Sequence, residues 1–294
     1  MAAGVTRVRL DELLVRRGHV ASREKARALV LTGRVTVAGI SHAKPGRLVP
    51  ADVAVDVRPG RAYASRGGVK LAHALDRFAV DPAGRVCADL GASTGGFTDC
   101  LLQRGAERVF AVDVGYGQLD WQLRNDARVV VLDRTNARYL ERLPETVSVV
   151  TVDVSFISLR LILPAARRIS QPGADIVALV KPQFEAGRSA VGRGGVVRDG
   201  AVHRSVLVDL CAWLQEADFQ LKGITASPVQ GGDGNIEFLA HVRWGGGPSK
   251  TDVTGTDVPG VDATDSGMID GALAEATQRF SHANAAAQVV RDRP

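Results

Sequence analysis

Asp89-Leu90-Gly91-Ala92-Ser93-Thr94-Gly95-Gly96-Phe97 joins an apolar run that reads as a strand over residues 85–90 to a run that reads as a helix over 96–104. Small residues between strand and helix let the backbone pass close to a ligand lying across the carboxyl end of a sheet. Several enzyme classes share that geometry. As a dinucleotide fingerprint the stretch fails at the second glycine, where Ser93 stands. Gly91-Ala92-Ser93-Thr94-Gly95 also spells the G-x-S-x-G elbow of serine hydrolases.

The neighbourhood narrows the choice. An acid, Asp89, precedes the first glycine, the next apolar run ends at Asp113 and the third at Asp133. Asp113 lies 22 residues beyond Gly91, where a carboxylate can accept both hydroxyls of an adenosine ribose. A hydrolase would need an Asp and then a His after Ser93, and the downstream histidines are His203, His241 and His282. His241 falls inside a predicted strand rather than on a loop after one. These features favour an adenosine-bearing methyl donor over an acyl substrate.

Outward from the loop, apolar strands at 108–112, 128–132, 148–152 and 175–180 alternate with helices at 69–78, around 159–169 and at 201–216. Two further strands lie near 221–226 and 236–242. Apolar strands interleaved with amphipathic helices mean an α/β domain with a parallel sheet covered on both faces. Residues 245–261 are rich in Gly, Pro, Ser, Thr and Asp and read as an unstructured linker. Met268, Ile269, Leu273, Ala276 and Phe280 then share one face of a short helix expected to dock on the core, with a ragged tail after Ala287.

The 294 residues are 45% hydrophobic and 23% charged, an ordinary globular balance with room for one full domain and something smaller. Net charge is +5, but residues 1–70 alone carry +9, leaving −4 for the rest. A basic segment on a near-neutral body suggests a polyanion-binding module. Charged residues from Arg7 to Arg17 interrupt any leader-like apolar core, and no apolar stretch reaches the ~20 residues of a membrane span, so the expectation is a cytoplasmic protein. Cys87, Cys100 and Cys211 have no metal-like spacing and are expected to be buried thiols.

In the basic segment, residues 9–17 and 22–32 read as short helices, followed by short strands at 35–37, 48–49 and 52–57. Arg9-Leu10-Asp11-Glu12-Leu13-Leu14, Ser22-Arg23-Glu24-Lys25-Ala26-Arg27 and Gly33-Arg34-Val35-Thr36-Val37-Ala38-Gly39 resemble the S4 RNA-binding domain. That resemblance makes Arg7, Arg9, Ser22, Arg23, Lys25, Arg27, Arg34 and Lys44 candidates for contacting RNA phosphates, with a solvated basic helix face as the alternative reading. Arg61, Arg66, Arg188 and Arg193 join them, the last two on a Gly- and Arg-rich stretch, 187–198, that reads as a mobile loop able to close over RNA.

Residues 61–242 resemble the haemolysin A (TlyA) family of ribosomal RNA 2'-O-methyltransferases, relatives of the FtsJ-like fold. The resemblance rests on Ser65-Arg66-Gly67-Gly68-Val69-Lys70-Leu71, the Gly91 loop, Asp113-Val114-Gly115-Tyr116-Gly117-Gln118-Leu119 and Arg134-Thr135-Asn136. It continues through Asp153-Val154-Ser155-Phe156-Ile157-Ser158-Leu159, Lys181-Pro182-Gln183-Phe184-Glu185 and Gly234-Asn235-Ile236-Glu237. It implies a Rossmann-like fold with a seven-stranded, mostly parallel sheet, S-adenosylmethionine as cofactor, and cytidine riboses of 16S and 23S RNA in ribosomal subunits as substrate. It also implies a link to capreomycin-type antibiotic sensitivity. The expected organisation is an S4-like domain at 1–58, a linker at 59–64, the methyltransferase domain at 65–245 and an appendage at 246–294. A monomer with no metal and no stable membrane association is expected. Where family linkers end in Arg-Ala-Trp-Val, this chain has Arg61-Ala62-Tyr63-Ala64.

The family's Lys-Asp-Lys-Glu tetrad corresponds to Lys70, Asp153, Lys181 and Glu237. Independently of the family, Asp153 and Lys181 stand where apolar strands end and turn toward the ligand crevice. Methylating a ribose hydroxyl is an in-line displacement on a sulfonium, so oxygen, methyl and sulfur must be held collinear and a weakly acidic proton removed. Lys181 is the candidate to accept or steer that proton, with Asp153 and Glu237 orienting the two lysines. The donor set is Asp89, Gly91, Ala92, Ser93, Thr94, Gly95, Gly96, Phe97, Asp113, Asp133, Asp153 and Phe156. Phe156 is placed to stack on the adenine or on the target base, or else in the core. The rival classes are a membrane-active haemolysin and a non-catalytic ribosome-binding factor.

Overall fold

The structure is a computed structural model that describes residues 6–40, 44–58, 62–192, 194–245 and 263–291, the side chains of 188, 263, 264 and 281–291 excepted. The chain separates into two compact units, Met1–Arg61 and Ala62–Pro294.

The first unit runs β1 (Arg7–Arg9), α1 (Leu10–Arg16), α2 (Arg23–Leu31), β2 (Val35–Val37), β3 (Leu48–Pro50) and β4 (Val55–Val57). β1 pairs antiparallel with β3, and β2 with β4. Leu10, Leu13 and Leu14 of α1 meet Ala26 and Val30 of α2 over Val35, Val37 and Val49, which makes one small core. Ser22 opens α2 by accepting the Lys25 N–H at 3.3 Å, and Gly33 closes it at φ +69°. β1 is the departure from the sequence reading, which gave Arg9 to the helix. Two of its three residues are exposed arginines, and only Val8 faces the core, so no alternation is visible.

The second unit continues with α3 (Arg66–Phe78), β5 (Val86–Leu90), α4 (Gly96–Gln103), β6 (Arg108–Val112), α5 (Trp121–Arg124), β7 (Val129–Leu132) and β8 (Val147–Val152). After these come α6 (Leu163–Ile169), β9 (Ser170–Val180), α7 (Pro182–Glu185), α8 (Gly200–Glu216), β10 (Phe219–Ala226), β11 (Phe238–Trp244) and α9 (Ala263–Arg291). The seven strands lie in the order β10-β11-β9-β8-β5-β6-β7. Pairing is parallel from β7 through β9, while β11 runs antiparallel to both its neighbours. The reversed strand matters for chemistry. Phe238 at the start of β11 lies opposite Val180 at the end of β9, so Glu237 arrives at the same sheet edge as Lys181.

Alternate residues of each strand feed two cores. Cys87, Val109, Val149, Val177, Leu179 and Leu239 pack under Leu71 and Leu75 of α3 and Leu101 of α4. Leu90, Phe110, Val150, Val152, Ile176, Ala178 and Val180 pack on the other face against α6, α8 and α9. All three cysteines are buried, as small hydrophobes would be.

α3 starts three residues before its predicted start, because Gly67 and Gly68 are themselves helical. A Cβ at Gly68 would lie 2.2 Å from the Tyr63 ring, and one at Gly96 would lie 2.1 Å from Ser65 Oγ, so close packing requires these glycines. Tyr63 is half-buried in the α3/α4 core, and Ala64 N–H donates to Asp99 at 2.7 Å, so this stretch belongs structurally with the second unit. The expected short terminal helix is instead 29 residues long and continues past Ala287 to Arg291. Ile269, Ala272 and Ala276 bury against the core, with Met268 and Leu273 beside them. The linker reading for 245–261 lies outside the described residues from 246 on.

Candidate active site

The carboxyl edge of the parallel strands collects the charged residues. β5 ends at Leu90 and passes directly into the glycine loop. Gly91 (φ +92°) and Gly95 (φ +95°) adopt left-handed conformations, and so does Ser93 (φ +47°), at the steric cost of a non-glycine residue there. A Cβ on Gly91 would come within 2.6 Å of the Asp153 carbonyl, and Asp153 N–H donates to Leu90 O at 2.9 Å. The loops after β5 and β8 are therefore in backbone contact, and only glycine fits between them. Ala92 is buried, Gly95 and Gly96 pack inward, and Ser93 and Thr94 face solvent.

Asp89 and Phe97, expected among the donor contacts, face the interior instead. Asp89 is fully buried and accepts hydrogen bonds from Thr98 Oγ1 at 2.7 Å and Thr151 Oγ1 at 3.1 Å. Burial pushes its carboxyl up to about 7, the Thr98 bond works against this, and the charge of Asp153 adds to it. Phe97 is buried beneath α3. Both hold the loop from behind, because residues flanking a tight strand-to-helix turn alternate between ligand and core.

Asp113 is half-buried and bridges two loops, accepting Ser93 N–H at 2.8 Å on Oδ2 and Gly115 N–H at 2.7 Å on Oδ1. A carboxylate offers about four acceptor positions, so each oxygen keeps one for an outside donor. Asp133 accepts from Arg124 at 2.5 Å and from Gly117 N–H at 3.2 Å. The Arg124 bond holds its carboxyl below the usual range. Arg124, on a four-residue helix with no visible sequence signature, went unnoticed in the sequence.

Lys181 follows the last residue of β9. Its Nζ lies 2.7 Å from Asp153 Oδ1 and 2.9 Å from Ser155 Oγ. Lys70, on the second turn of α3, pairs with Glu237. Lys70, Lys181 and Glu237 are each nine-tenths or more buried, whereas the Asp153 side chain is 24% exposed. A cation and a carboxylate stripped of water tolerate burial only as pairs, so each lysine is fixed by its partner. Glu237 is held close in turn, since a Cβ on Gly231 would fall 2.5 Å from its Oε1.

Phe156 is 89% exposed at φ +63°, with its ring tilted on Phe184 at 4.9 Å. It is not a core aromatic. Behind it, Glu185 accepts from Ser158 Oγ at 2.6 Å and Leu159 N–H at 2.8 Å, clamping the loop after β8 to α7. Ser155, Glu185 and Asn235 are the residues that sequence reasoning left without a role. Asn235, nearly fully buried, accepts Val197 N–H and donates to Gly195 O, both at 3.0 Å. With Val196 and Val197 buried and His203 Nε2 3.2 Å from Val197 O, the final part of the expected mobile loop is anchored.

In the first unit, Arg7, Arg9, Arg23, Lys25, Arg27 and Lys44 are exposed. Buried Asp11 organises two of them, at 2.9 Å from Arg9 and 3.5 Å from Arg23, and the Arg9 hydrogen bond lowers its own proton affinity. Ser22 spends its hydroxyl on capping α2, and Arg34 donates to Arg58 O at 3.2 Å, so both serve the fold first. Arg66 is exposed at the first position of α3. Arg61 and Arg193 lie outside the described residues, as does the side chain of Arg188. Among the described residues, no cluster of three or more His, Cys, Asp or Glu could hold a metal ion, and no helix is long and apolar enough to cross a membrane.

Comparison with known proteins fits this geometry. The FtsJ-like methyltransferase family matches residues 63–244, and the S4 domain family matches residues 8–54. YqxC of Bacillus subtilis, an rRNA methyltransferase by name, is 50% identical over 246 residues, covering 81% of this chain and 86% of that protein. The 16S/23S rRNA (cytidine-2'-O)-methyltransferase TlyA of Mycobacterium tuberculosis is 48% identical over 241 residues, covering 81% of this chain and 90% of its own length. A solved structure from Streptococcus thermophilus, described as a hemolysin, superposes with a TM-score of 0.69 at 40% identity, covering 96% of this chain and 99% of that one. The protein belongs to the FtsJ-like methyltransferase family and carries an S4 domain ahead of its methyltransferase domain.

Proposed function

We propose that the chain transfers a methyl group from S-adenosylmethionine to the 2'-hydroxyl of cytidines in the ribosomal RNA of both subunits, acting in the cytoplasm where those subunits are found. The observation that carries the reading is Lys181, buried at the strand edge between Asp153 and Ser155 and beside the Lys70–Glu237 pair. The name of the M. tuberculosis relative supplies the cytidine and the two RNAs.

The crevice residues fit an adenosine-bearing donor. Asp113 keeps an acceptor position on each oxygen for two ribose hydroxyls, and exposed Ser93 and Thr94 line the turn beside it. The donor would supply an electrophilic methyl on a sulfonium. What remains for the protein is to place a ribose oxygen in line and take its proton. Lys181 relays that proton, giving one of its own N–H protons to the Asp153 carboxylate as it takes the one from the ribose, while Ser155 fixes the direction of its amine, and Glu237 fixes Lys70 in place. Positioned proton transfer of this kind contributes ~10²–10⁴-fold. The exposed basic residues of the first unit dock the RNA backbone, and Phe156 offers a stacking face beside the crevice.

The test uses purified protein, its Lys181→Ala variant, labelled donor and ribosomal subunits from a strain lacking the enzyme. Label should reach the RNA with wild type, and the variant should be slower by about 10³-fold. No transfer by wild type, or equal transfer by the variant, would overturn the reading.

A further inference from the structure

At the β10 edge of the sheet in the second unit, a groove of about 540 Å³ opens where the end of α3 and the face of α9 meet over β10 and β11. It does not belong to the methyl-transfer crevice. His241 in its floor pairs with Val177, four residues before Lys181, which is about 13 Å along a strand. The family match ends at residue 244, so α9 brings in a wall from beyond the matched segment.

The groove is cationic over an aromatic floor. Arg77, Lys222 and Arg243 reach it, all exposed, and Phe78 lies on His241 with ring centroids 5.6 Å apart. The sheet register slips between Leu221 and Gly223, so Lys222 sits on a bulge, a device that re-aims a side chain out of the regular ladder. Arg243 gives its Nε to Asp175 at 2.7 Å. Arg77 lies 3.6 Å from Glu275, whose carboxylate also accepts from Thr225 Oγ1 and Ala226 N–H. Lys222 makes no ion pair among the described residues, so the groove retains positive charge after its carboxylates are counted. The α9 wall is lined by Gly267 and Gly271, where an added Cβ would meet nothing within 4 Å. The space is therefore real and roomy enough for one nucleotide.

We propose that this groove is a second RNA contact, taking a single-stranded nucleotide of the substrate with its phosphate toward Lys222 and Arg243 and its base over Phe78. The inference rests on the RNA-modifying reading above. Cations provide the phosphate contact and an aromatic face the sequence-tolerant stacking, the combination by which single strands are held. Placed away from Lys181, the contact would orient a large RNA on the methyltransferase domain independently of the S4 domain.

The test compares the full chain with Lys222→Ala, which removes the unpaired charge, and Gly271→Phe, which fills the groove without altering charge. The probe is a fluorescein-labelled oligocytidylate RNA, titrated by anisotropy at several salt concentrations, with melting temperatures recorded alongside. Both variants should bind about fivefold more weakly with unchanged melting. Lys222→Ala should also lower the slope of log affinity against log salt by about 0.7, the share of one phosphate contact on a single strand. Wild-type binding with both variants indistinguishable from it would overturn the groove assignment and leave the RNA reading standing. No binding by the wild type would overturn both. A rise in wild-type melting with cytidine monophosphate that Gly271→Phe abolishes, with RNA affinity equal in all three proteins, would overturn the RNA assignment in favour of a free nucleotide.

Discussion

Two buried aspartates lie on the same sheet, Asp175 level with Cys87 and so only two residues below Asp89, and they behave in opposite ways. Asp89, at the carboxyl end of β5, is surrounded by neutral donors, the hydroxyls of Thr98 and Thr151, and burial raises its carboxyl to about 7. Asp175, at the middle of β9, is buried almost as deeply. There too burial pushes upward, but His241 at 2.8 Å, Arg85 at 2.8 Å and Arg243 at 2.7 Å outweigh it and hold the carboxyl well below its ordinary range. Depth does not decide the ionisation of a buried acid; the charge of its hydrogen-bond partners does. The middle of β9 is locked by an ion cluster, while Asp89, two residues nearer the carboxyl edge, has only neutral hydroxyl partners.

The comparison breaks most clearly over pH. An unfolded aspartate loses its proton near 3.8, whereas folded Asp89 keeps it until about 7. Across that window the folded chain holds a proton that the unfolded chain lacks, so stability falls as pH rises. The change levels off above 7, with a total of about 4 kcal/mol. Asp89→Asn, neutral at every pH and close in shape, should remove this slope. Urea midpoints at pH 5 and pH 8 should differ less in the variant than in wild type. An identical difference in both proteins would show that Asp89 is ionised throughout.

Asp175 carries the opposite sign. Its stability contribution is present above about 4, where an unfolded aspartate is ionised, and is lost as pH falls toward its depressed folded value. Asp175→Ala leaves the surrounding cations unpaired and should cost about 3 kcal/mol at neutral pH. That is the low end for a broken buried cluster, because the Arg243 side chain is 45% exposed and can rehydrate. Donor binding at a temperature well below melting should be unchanged, since Asp175 lies six residues before Lys181, about 20 Å along the strand. A donor affinity that fell with stability would mean the two positions are coupled.

Much of the candidate site's layout was legible because strand ends are legible. Runs such as Val147–Val152 and the last residues of β9 stop abruptly at Asp153 and Lys181, and a charge at the end of an apolar strand can lie only on the sheet rim. Glu237 was placed by family resemblance alone, because its position depends on β11 running backwards, and a strand's direction leaves no mark in its own composition. The pairing of Lys70 with Glu237 spans 167 residues, and no periodicity reaches that far. Short elements escaped for a related reason. β1, α5 and α7 are three or four residues long, too short to show a period. The helix was expected to begin only at Val69, after Gly67 and Gly68, because propensity ignores the Tyr63 ring and α4 packed against these glycines. Asp89 and Phe97 were given to the donor because spacing around a tight turn cannot tell its ligand side from its core side.

Phe156 offers the smallest effect and the finest discrimination. An aromatic that is 89% exposed gains little from burial, and a left-handed φ of +63° costs a non-glycine residue about 1 kcal/mol. Such a residue contributes little to the fold, so Phe156→Ala should leave melting within about 0.5 kcal/mol of wild type. Removing one stacked base, by contrast, costs ~1–3 kcal/mol. If Phe156 stacks on the target base, the alanine variant should raise the KM for RNA about tenfold with donor affinity intact, and Phe156→Tyr should restore it. If it stacks on the adenine, donor affinity measured by calorimetry should fall and the RNA KM should hold. Either result would separate this exposed face from the buried Lys70–Glu237 and Lys181–Asp153 pairs, whose removal is expected to act on the methyl-transfer step instead of on binding.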